Sequence, residues 1–326
     1  MATRLKASIC IPSYNRKQLL LATLRSLNRQ TAAPGSYEVI VTNDGSTDGT
    51  VDAMETLKPR YRLRWSTQEN AGAAAAMNRA AQLAENEVLI FLGADQVCTA
   101  SLVRTHLQVH EEEGDVLVQG LYPTADGYRS RGTSLGYERS LLTSLSPTHR
   151  RHAMSPYIWG ANISVRRTTW EQVGGFDVSF RSYGGEDTDF GLRVANLGIP
   201  FIFEPRALSY HLHDLRYPSF RRQAFDEGRS LVQLSQKHGI PVEALFGGPL
   251  NNPIDRLVEK GWTLSPPTMD AAGRVLSLSV AATDLSRLRG AQLTAARLVH
   301  RVYKLGGLVA EGYGRGARTH AVGRPA

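Results

Sequence analysis

The chain holds only two cysteines, Cys10 and Cys98, among 326 residues. Two cysteines cannot build a disulfide framework or a cysteine-rich zinc site, and the scarcity fits a cytoplasmic protein. No run of about 18 apolar residues occurs, which argues against a membrane-spanning helix. Met1–Lys6 leads directly into a strand-like stretch and Pro12, without the basic, apolar and small-residue segments of a secretory signal, so none is expected. No internal repeat is present. What the chain does have is ordinary globular composition, with 42% hydrophobic and 21% charged residues, which excludes an intrinsically disordered chain. Its length suits about two domains.

The net charge of +8 is unevenly spread. Met1–Pro205 carries 21 basic and 21 acidic residues, and Arg206–Ala326 carries 17 and 9. A neutral body with a basic appendage is therefore expected, not a protein built throughout to bind nucleic acid. The appendage also lacks the interleaved aromatic and basic residues of a nucleic-acid platform. Its apolar residues (Leu285, Leu288, Leu293, Leu298, Val302, Leu305, Leu308) alternate with Arg287, Arg289, Arg297, Arg301 and Lys304. That pattern suits packing on the body, a homodimer contact, peripheral contact with an anionic membrane at its inner face, or contact with an anionic acceptor.

Strand and helix patterns alternate through the first 120 residues. Ala7–Ile11, Tyr37–Thr42, Tyr61–Trp65, Glu87–Leu92 and Asp115–Gly120 read as strands. Lys17–Asn28, Thr50–Leu57, Ala71–Ala84 and Leu102–Glu113 read as helices. This order implies an α/β fold with a mainly parallel, doubly wound sheet, in which ligands bind beyond the carboxyl ends of strands. Tyr122–Pro156, rich in Gly, Ser, Thr, Arg and Tyr, is expected to be a long mobile or substrate-facing segment. Beyond it, Ile163–Arg167 and Phe201–Glu204 read as strands, and Thr169–Val173 and Phe190–Leu197 as helices. Tyr217–His238, Pro253–Gly261 and Pro267–Glu311 read as the helices of the appendage, and the last fifteen residues as frayed.

Four blocks carry chemistry. Asp44 follows a strand in Asn-Asp-Gly-Ser-Thr-Asp, where a carboxylate either closes an Asx-turn or accepts from a nucleobase N–H. Asp95 follows the apolar strand Val88–Leu92, where it either caps a turn or binds a divalent cation that bridges phosphates. Glu186, Asp187 and Asp189 open a helix behind Gly184-Gly185. Carboxylates there satisfy the helix dipole, and one of them is also placed to act as a general base. His211 follows a strand and is either structural or a metal ligand.

Taken together, Ile11-Pro12-Ser13-Tyr14-Asn15-Arg16, Asn43-Asp44-Gly45-Ser46-Thr47-Asp48, Glu69-Asn70-Ala71-Gly72 with Asn78, Phe91-Leu92-Gly93-Ala94-Asp95 and Gly184-Gly185-Glu186-Asp187 resemble a family 2 glycosyltransferase of the GT-A fold. Trp159-Gly160-Ala161-Asn162 and Gly174-Gly175-Phe176-Asp177 resemble the acceptor half of that family. The resemblance covers about Ala7–Asp214. It divides the chain into a nucleotide-sugar-binding half (1–118), an acceptor-binding and catalytic half (119–214) and a basic helical extension (215–326). It implies a soluble, inverting, metal-dependent transferase that uses a nucleotide-diphosphate sugar, usually a UDP-sugar. Pro12, Tyr14, Arg16 and Asp44 would then surround the base. Asn70, Gly72, Asn78 and Ala94 would border the nucleotide-sugar. Asp95 and His211 would hold Mn²⁺ or Mg²⁺. Asp187 would be the base, Glu186 would bind hydroxyls beside it, and Trp159 would stack on the acceptor sugar. The acceptor stays open between glycan, lipid-linked sugar, natural product and peptide.

Three departures stand out. Gly93 occupies a position that is usually acidic in the family. Met77 stands where the family often has arginine. No Gln-x-x-Arg-Trp motif follows the catalytic segment, which argues against a processive synthase. Gly93 and Met77 also keep open a nucleotide-sugar-binding pseudoenzyme.

Overall fold

The computed structural model describes residues 5–128, 131–145, 151–181, 183–212, 215–246, 250, 252–286 and 288–313. His213, Asp214, Arg287 and the C-terminal residues expected to fray lie outside these. The described residues form two compact units, one of 5–128, 137–181 and 186–212, the other of 131–136, 183–185 and the residues from 215 onward.

The first unit begins with β1 (Ala7–Ser13), α1 (Lys17–Leu27), β2 (Tyr37–Asn43), α2 (Thr50–Glu55), β3 (Arg62–Thr67), α3 (Ala73–Leu83) and β4 (Val88–Phe91). The chain continues through β5 (Gln96–Cys98), α4 (Leu102–Glu113), β6 (Leu117–Leu121), α5 (Gly132–Leu145), β7 (His152–Ala153), β8 (Ile163–Arg166), α6 (Arg167–Val173), α7 (Glu186–Ala195) and β9 (Phe201–His211). The sheet order is β3-β2-β1-β4-β8-β6-β9-β5, with β7 beside β9. From β3 to β4 all pairs are parallel, with Ile9 opposite Val39 on one side and Ile90 on the other. Strands β8, β5 and β7 then run antiparallel to their neighbours.

The sequence explains this placement. Strands β1, β2 and β4 are apolar on both faces, as central parallel strands must be. Ile9, Ile11, Val39, Val41 and Ile90 pack under α1 and α4, while the alternate residues Cys10, Ile40, Leu89 and Phe91 pack under α3. Strand β3 (Arg-Leu-Arg-Trp-Ser-Thr) is polar and half-exposed, as suits an edge. Strand order reverses at β1, which pairs β2 on one side and β4 on the other, so the crevice for ligands opens beyond Ser13, Asn43 and Phe91.

Two expectations need correction. The segment 122–156 is not irregular throughout, because its residues 132–145 form α5. Strand β9 does not stop at Glu204 but runs to His211. The register against β6 shifts between Gly120 and Leu121, and this irregularity accommodates Pro205. The carbonyl of Ala207, displaced from the ladder, accepts from Asn162 Nδ2 at 2.8 Å.

The second unit contains α8 (Tyr217–His238), α9 (Val242–Phe246), α10 (Pro253–Leu264), α11 (Pro266–Ser286) and α12 (Arg289–Ala310). The long helical stretch expected from Pro267 to Glu311 consists of two helices, α11 and α12. Phe220, Ala224, Trp262, Val280, Val299 and Tyr303 form the core. Helices α8 and α12 meet through glycine. A Cβ on Gly307 would lie 1.9 Å from the carbonyl oxygen of Phe225, and one on Gly228 would lie 2.0 Å from that of Lys304. Glu227 lies between His300 (2.9 Å) and Lys304 (2.7 Å). Burial works against its charge, but Lys304 and then the His300 imidazole beside it hold its carboxyl far below the usual range.

Candidate active site

The loops at the carboxyl ends of β1, β2 and β4 are tied to one another by side-chain caps. Asp48 Oδ2 accepts from the backbone N–H of Lys17 at 2.8 Å, and its Oδ1 accepts from that of Thr50, so one carboxylate anchors the starts of both α1 and α2. Burial acts to raise the pKa of Asp48, but the bonds from Thr50 and Lys17 prevail and lower it. Asn15 takes a left-handed backbone (φ +50°); its N–H donates to Ser46 Oγ, and its Oδ1 accepts from Thr47 N–H. Pro12 and Tyr14 sit at this mouth, with Tyr14 exposed.

Asp44 is buried and largely committed. Its Oδ1 accepts from Gln68 Nε2 (2.8 Å) and Ala71 N–H (2.9 Å), its Oδ2 accepts from Gly72 N–H (2.9 Å), and its carbonyl accepts from Asn70 Nδ2 (3.2 Å). These bonds use three of about four acceptor positions on the carboxylate. Asn70 and Gly72 therefore lie against Asp44. Asn78 is spent elsewhere, because its amide clamps both the N–H (2.8 Å) and the C=O (2.7 Å) of Phe176.

Asp95 and His211 converge, with His211 Nε2 3.3 Å from Asp95 Oδ1 and both side chains buried. The other carboxylate oxygen of Asp95 pairs with Arg16. Strand pairing brings these residues together, since Gln96 on β5 is opposite His211 on β9. Thr23 of α1 fixes the intervening turn by donating to Ala94 C=O (2.9 Å) and accepting from Gln96 N–H (3.0 Å). A Cβ on Gly93 would stand 2.9 Å from Asp95 Oδ1, so an acidic residue there would force Asp95 to shift. An oxygen and an imidazole nitrogen suit Mn²⁺ or Mg²⁺ when phosphate oxygens and water complete the shell. Among the described residues, no group of three or more His, Cys, Asp or Glu side chains is placed to hold a metal.

The three carboxylates at the start of α7 have separate fates. Asp189 is buried and accepts from Arg193 Nε at 2.8 Å, one turn on. Asp187 Oδ2 accepts from Gly160 N–H at 2.8 Å, and its Oδ1 accepts from Thr188 N–H at 2.7 Å. Glu186 Oε2 is buried and has no hydrogen-bond partner among the described residues. Burial, and then the neighbouring charge of Asp187, push its carboxyl up to about 8.

The sequence did not mark the residues that support these groups. Gln119 interrupts β6; its Oε1 accepts from Trp159 N–H (2.9 Å), and its Nε2 donates to Ala161 C=O (3.1 Å). Asn162 holds the end of the same loop in a left-handed conformation (φ +57°). Its Nδ2 donates to two carbonyls, so its Oδ1 faces His106 Nε2 at 2.9 Å as acceptor. His106 Nδ1 in turn meets Ser164 Oγ (2.8 Å), which also meets His110 Nε2 (2.9 Å). Burial lowers His106 to about 4 and His110 to about 3, so both imidazoles are neutral. Polar residues on the otherwise apolar faces of β6 and α4 were the available signal. Tyr137 of α5 was also missed. Its ring packs edge-on against Trp159 (centroids 5.4 Å apart) and lies 5.6 Å from His211. Burial, and the nearby charges of both Asp95 and Asp187, raise its phenol well above the usual range.

Comparison with known proteins assigns the chain to a family. The family model "Glycosyl transferase family 2" matches residues 8–174, half of the chain, and the model "N-terminal domain of galactosyltransferase" matches residues 139–213. Validoxylamine A glucosyltransferase of Streptomyces hygroscopicus subsp. limoneus is 32% identical over 220 residues, covering 59% of this chain and 48% of that protein. The chain thus spans about half the length of that relative. An uncharacterised glycosyltransferase of Bacillus subtilis, YfnE, is 26% identical over 296 residues, covering 75% of this chain and 74% of the other. Among solved structures, the mannosyltransferase PcManGT of Pyrobaculum calidifontis, in complex with GDP-Man and Mn²⁺, superposes with a TM-score of 0.61 at 20% identity, covering 96% of this chain and 88% of that one. S. aureus TarS in complex with UDP gives 0.57 at 18% identity, covering 93% and 90%. With its α/β sheet, its strand-end carboxylates and the match over residues 8–174, the chain belongs to glycosyl transferase family 2.

Proposed function

We propose that the chain transfers a sugar from a nucleotide-diphosphate donor, a UDP-sugar, to an acceptor hydroxyl with inversion at the anomeric carbon. The observation that carries this is the placement of two differently held carboxylates, Asp95 against Arg16 and His211, and Asp187 against Gly160. Asp187 removes the acceptor proton as the acceptor oxygen bonds to the anomeric carbon. The bond from that carbon to the diphosphate breaks, and its electron pair leaves with the nucleotide. The Gly160 N–H fixes the orientation of the Asp187 carboxylate. Arg16 offers a cation to the leaving diphosphate. Asp95 and His211 would hold Mn²⁺ or Mg²⁺, which when bound neutralises the diphosphate charge. Glu186, protonated at neutral pH, donates a hydrogen bond to a sugar hydroxyl beside the base. Asp44 uses its remaining acceptor position for the base, and Trp159 offers an apolar face to the acceptor sugar. The name of the relative Validoxylamine A glucosyltransferase supports sugar transfer, and the PcManGT and TarS complexes support nucleotide donors. The free, buried thiols of Cys10 and Cys98 fit a cytoplasmic site of action.

Nucleotide release from a panel of UDP- and GDP-sugars, with Mn²⁺ or Mg²⁺ and candidate acceptors, tests the reading. Asp187→Asn is expected to lower turnover by about 10³-fold or more while donor binding stays within a few-fold. A parallel loss of binding and turnover would remove Asp187 as the base. The Arg16–Asp95 ion pair and Gly93 favour one second reading, a nucleotide-sugar-binding protein without turnover. UDP binding with no release under any condition would select it.

A further inference from the structure

Fifteen large apolar side chains are exposed among the described residues, and eight of them fall between Ile254 and Leu298. Seven of those eight are 63–88% exposed, whereas none of the exposed apolar residues elsewhere exceeds 52%. They follow helical spacing. Helix α10 buries Asp255 and Trp262 and leaves Ile254, Leu257 and Leu264 outward. Helix α11 buries Gly273, Ser277 and Val280 and leaves Val275, Leu278 and Leu285 outward. Leu288 and Leu298 continue the exposure into α12. Each helix therefore has a second apolar stripe turned away from its packed one, and isolated surface leucines are not the explanation.

The charges around these stripes are predominantly of one sign. Residues 252–310 contain four acidic side chains, Asp255, Glu259, Asp270 and Asp284. Three are taken up inside the unit. Asp255 accepts from Arg301 through both oxygens at 2.6 Å. Asp270 accepts from Arg274 (2.9 Å) and Tyr303 (2.8 Å). Asp284 accepts from Gly132 N–H (2.8 Å), Gln292 (3.0 Å) and Tyr217. Arg256, Lys260, Arg289 and Arg297 are exposed and make no ion pair among the described residues.

We propose that the outward faces of α10 and α11, flanked by these cations, dock on an anionic lipid bilayer. The leucines enter the headgroup–acyl boundary and the cations meet lipid phosphates, as interfacial amphipathic helices do. A second copy of this chain is the poorer occupant. A two-fold contact would set the same patch against itself, with Arg256 and Lys260 facing like charges. No helix among the described residues is long and apolar enough to cross a membrane, so the contact is one of lying on the surface. The proposal does not depend on sugar transfer, because its test needs neither donor nor acceptor.

The test is flotation of the full chain with phosphatidylcholine vesicles, either pure or containing about a third phosphatidylglycerol, at low and high salt. Binding to the anionic vesicles only, weakened by salt, is expected. Leu257→Ser with Leu278→Ser, and separately Arg256→Glu with Lys260→Glu, should each weaken it by about tenfold or more with the thermal transition unchanged. Absence of binding, or equal binding to neutral and anionic vesicles, overturns the proposal. So does light scattering that shows a dimer which Leu257→Ser with Leu278→Ser dissociates while vesicle binding is unaffected. The wild-type lipid and salt dependence decides the matter even if a variant fails to fold.

Discussion

Glu186, Asp187 and Asp189 stand within four positions, yet each meets different partners. Asp189 has an arginine, Asp187 has two backbone N–H groups, and Glu186 Oε2 has no hydrogen-bond partner among the described residues. A carboxyl buried this way favours its neutral form. In the unfolded chain Glu186 ionises near pH 4.5, and in the fold it ionises near pH 8. The folded state thus holds a proton that the unfolded state has lost, so stability falls as pH rises across that interval. Glu186→Gln, which cannot ionise, should match the wild type near pH 4.5 and exceed it by about 1–3 kcal/mol at pH 8.5. Urea unfolding at the two pH values measures the difference. The partners of Asp95 make a second expectation. Asp95→Ala should abolish the metal-dependent part of UDP affinity measured by calorimetry; unchanged affinity would show that Asp95 and His211 hold no cation.

At the scale of elements, α4 contributes more than its apolar face. His106 and His110 lie one turn apart and reach Ser164 and, through His106, Asn162, which ends the loop that presents Gly160 to Asp187. Both imidazoles are neutral in the fold but take up protons below about pH 6.5 once unfolded, so stability declines from that pH toward about 4. His110→Gln should flatten this acid limb by about 1.4 kcal/mol per pH unit, the contribution of one proton. Denaturation at pH 7 and pH 5 would show it. Strands β1, β2 and β4 could be read in advance because their apolar runs are fixed by burial on both faces. Helix α5 could not, because Gly132, Gly136 and its Ser and Thr residues have weak helix propensity, and the helix persists through contacts distant in sequence. β9 was read short because Pro205 looks like an end until the irregular pairing beside Gly120 is seen. The same division holds in the site. Asp95, Asp187 and His211 were legible at strand ends and a helix start, whereas Gln119, Asn162, His106 and Tyr137 act through partners distant in sequence, 40 residues apart for Gln119 and Trp159 and 56 for His106 and Asn162.

For the molecule as a whole, glycine sets how closely the helices of the second unit can approach. Gly307→Ala would drive a methyl into the Phe225 carbonyl and should lower stability by about 3 kcal/mol, read as a large fall in the thermal midpoint. The chain also enters the helical unit more than once. Residues 131–136 and 183–185 belong to it as well as the residues from 215 onward, and α5 begins there and ends among the sheet residues. The N–H that starts α5, on Gly132, is received by Asp284, 152 residues later. The consequence is genealogical. A recombination event that joined a foreign tail after residue 214 would inherit a helix without its acceptor and two short segments without their companions. Relatives that carry a different tail are therefore expected to differ at Gly132 and around Gly184 as well.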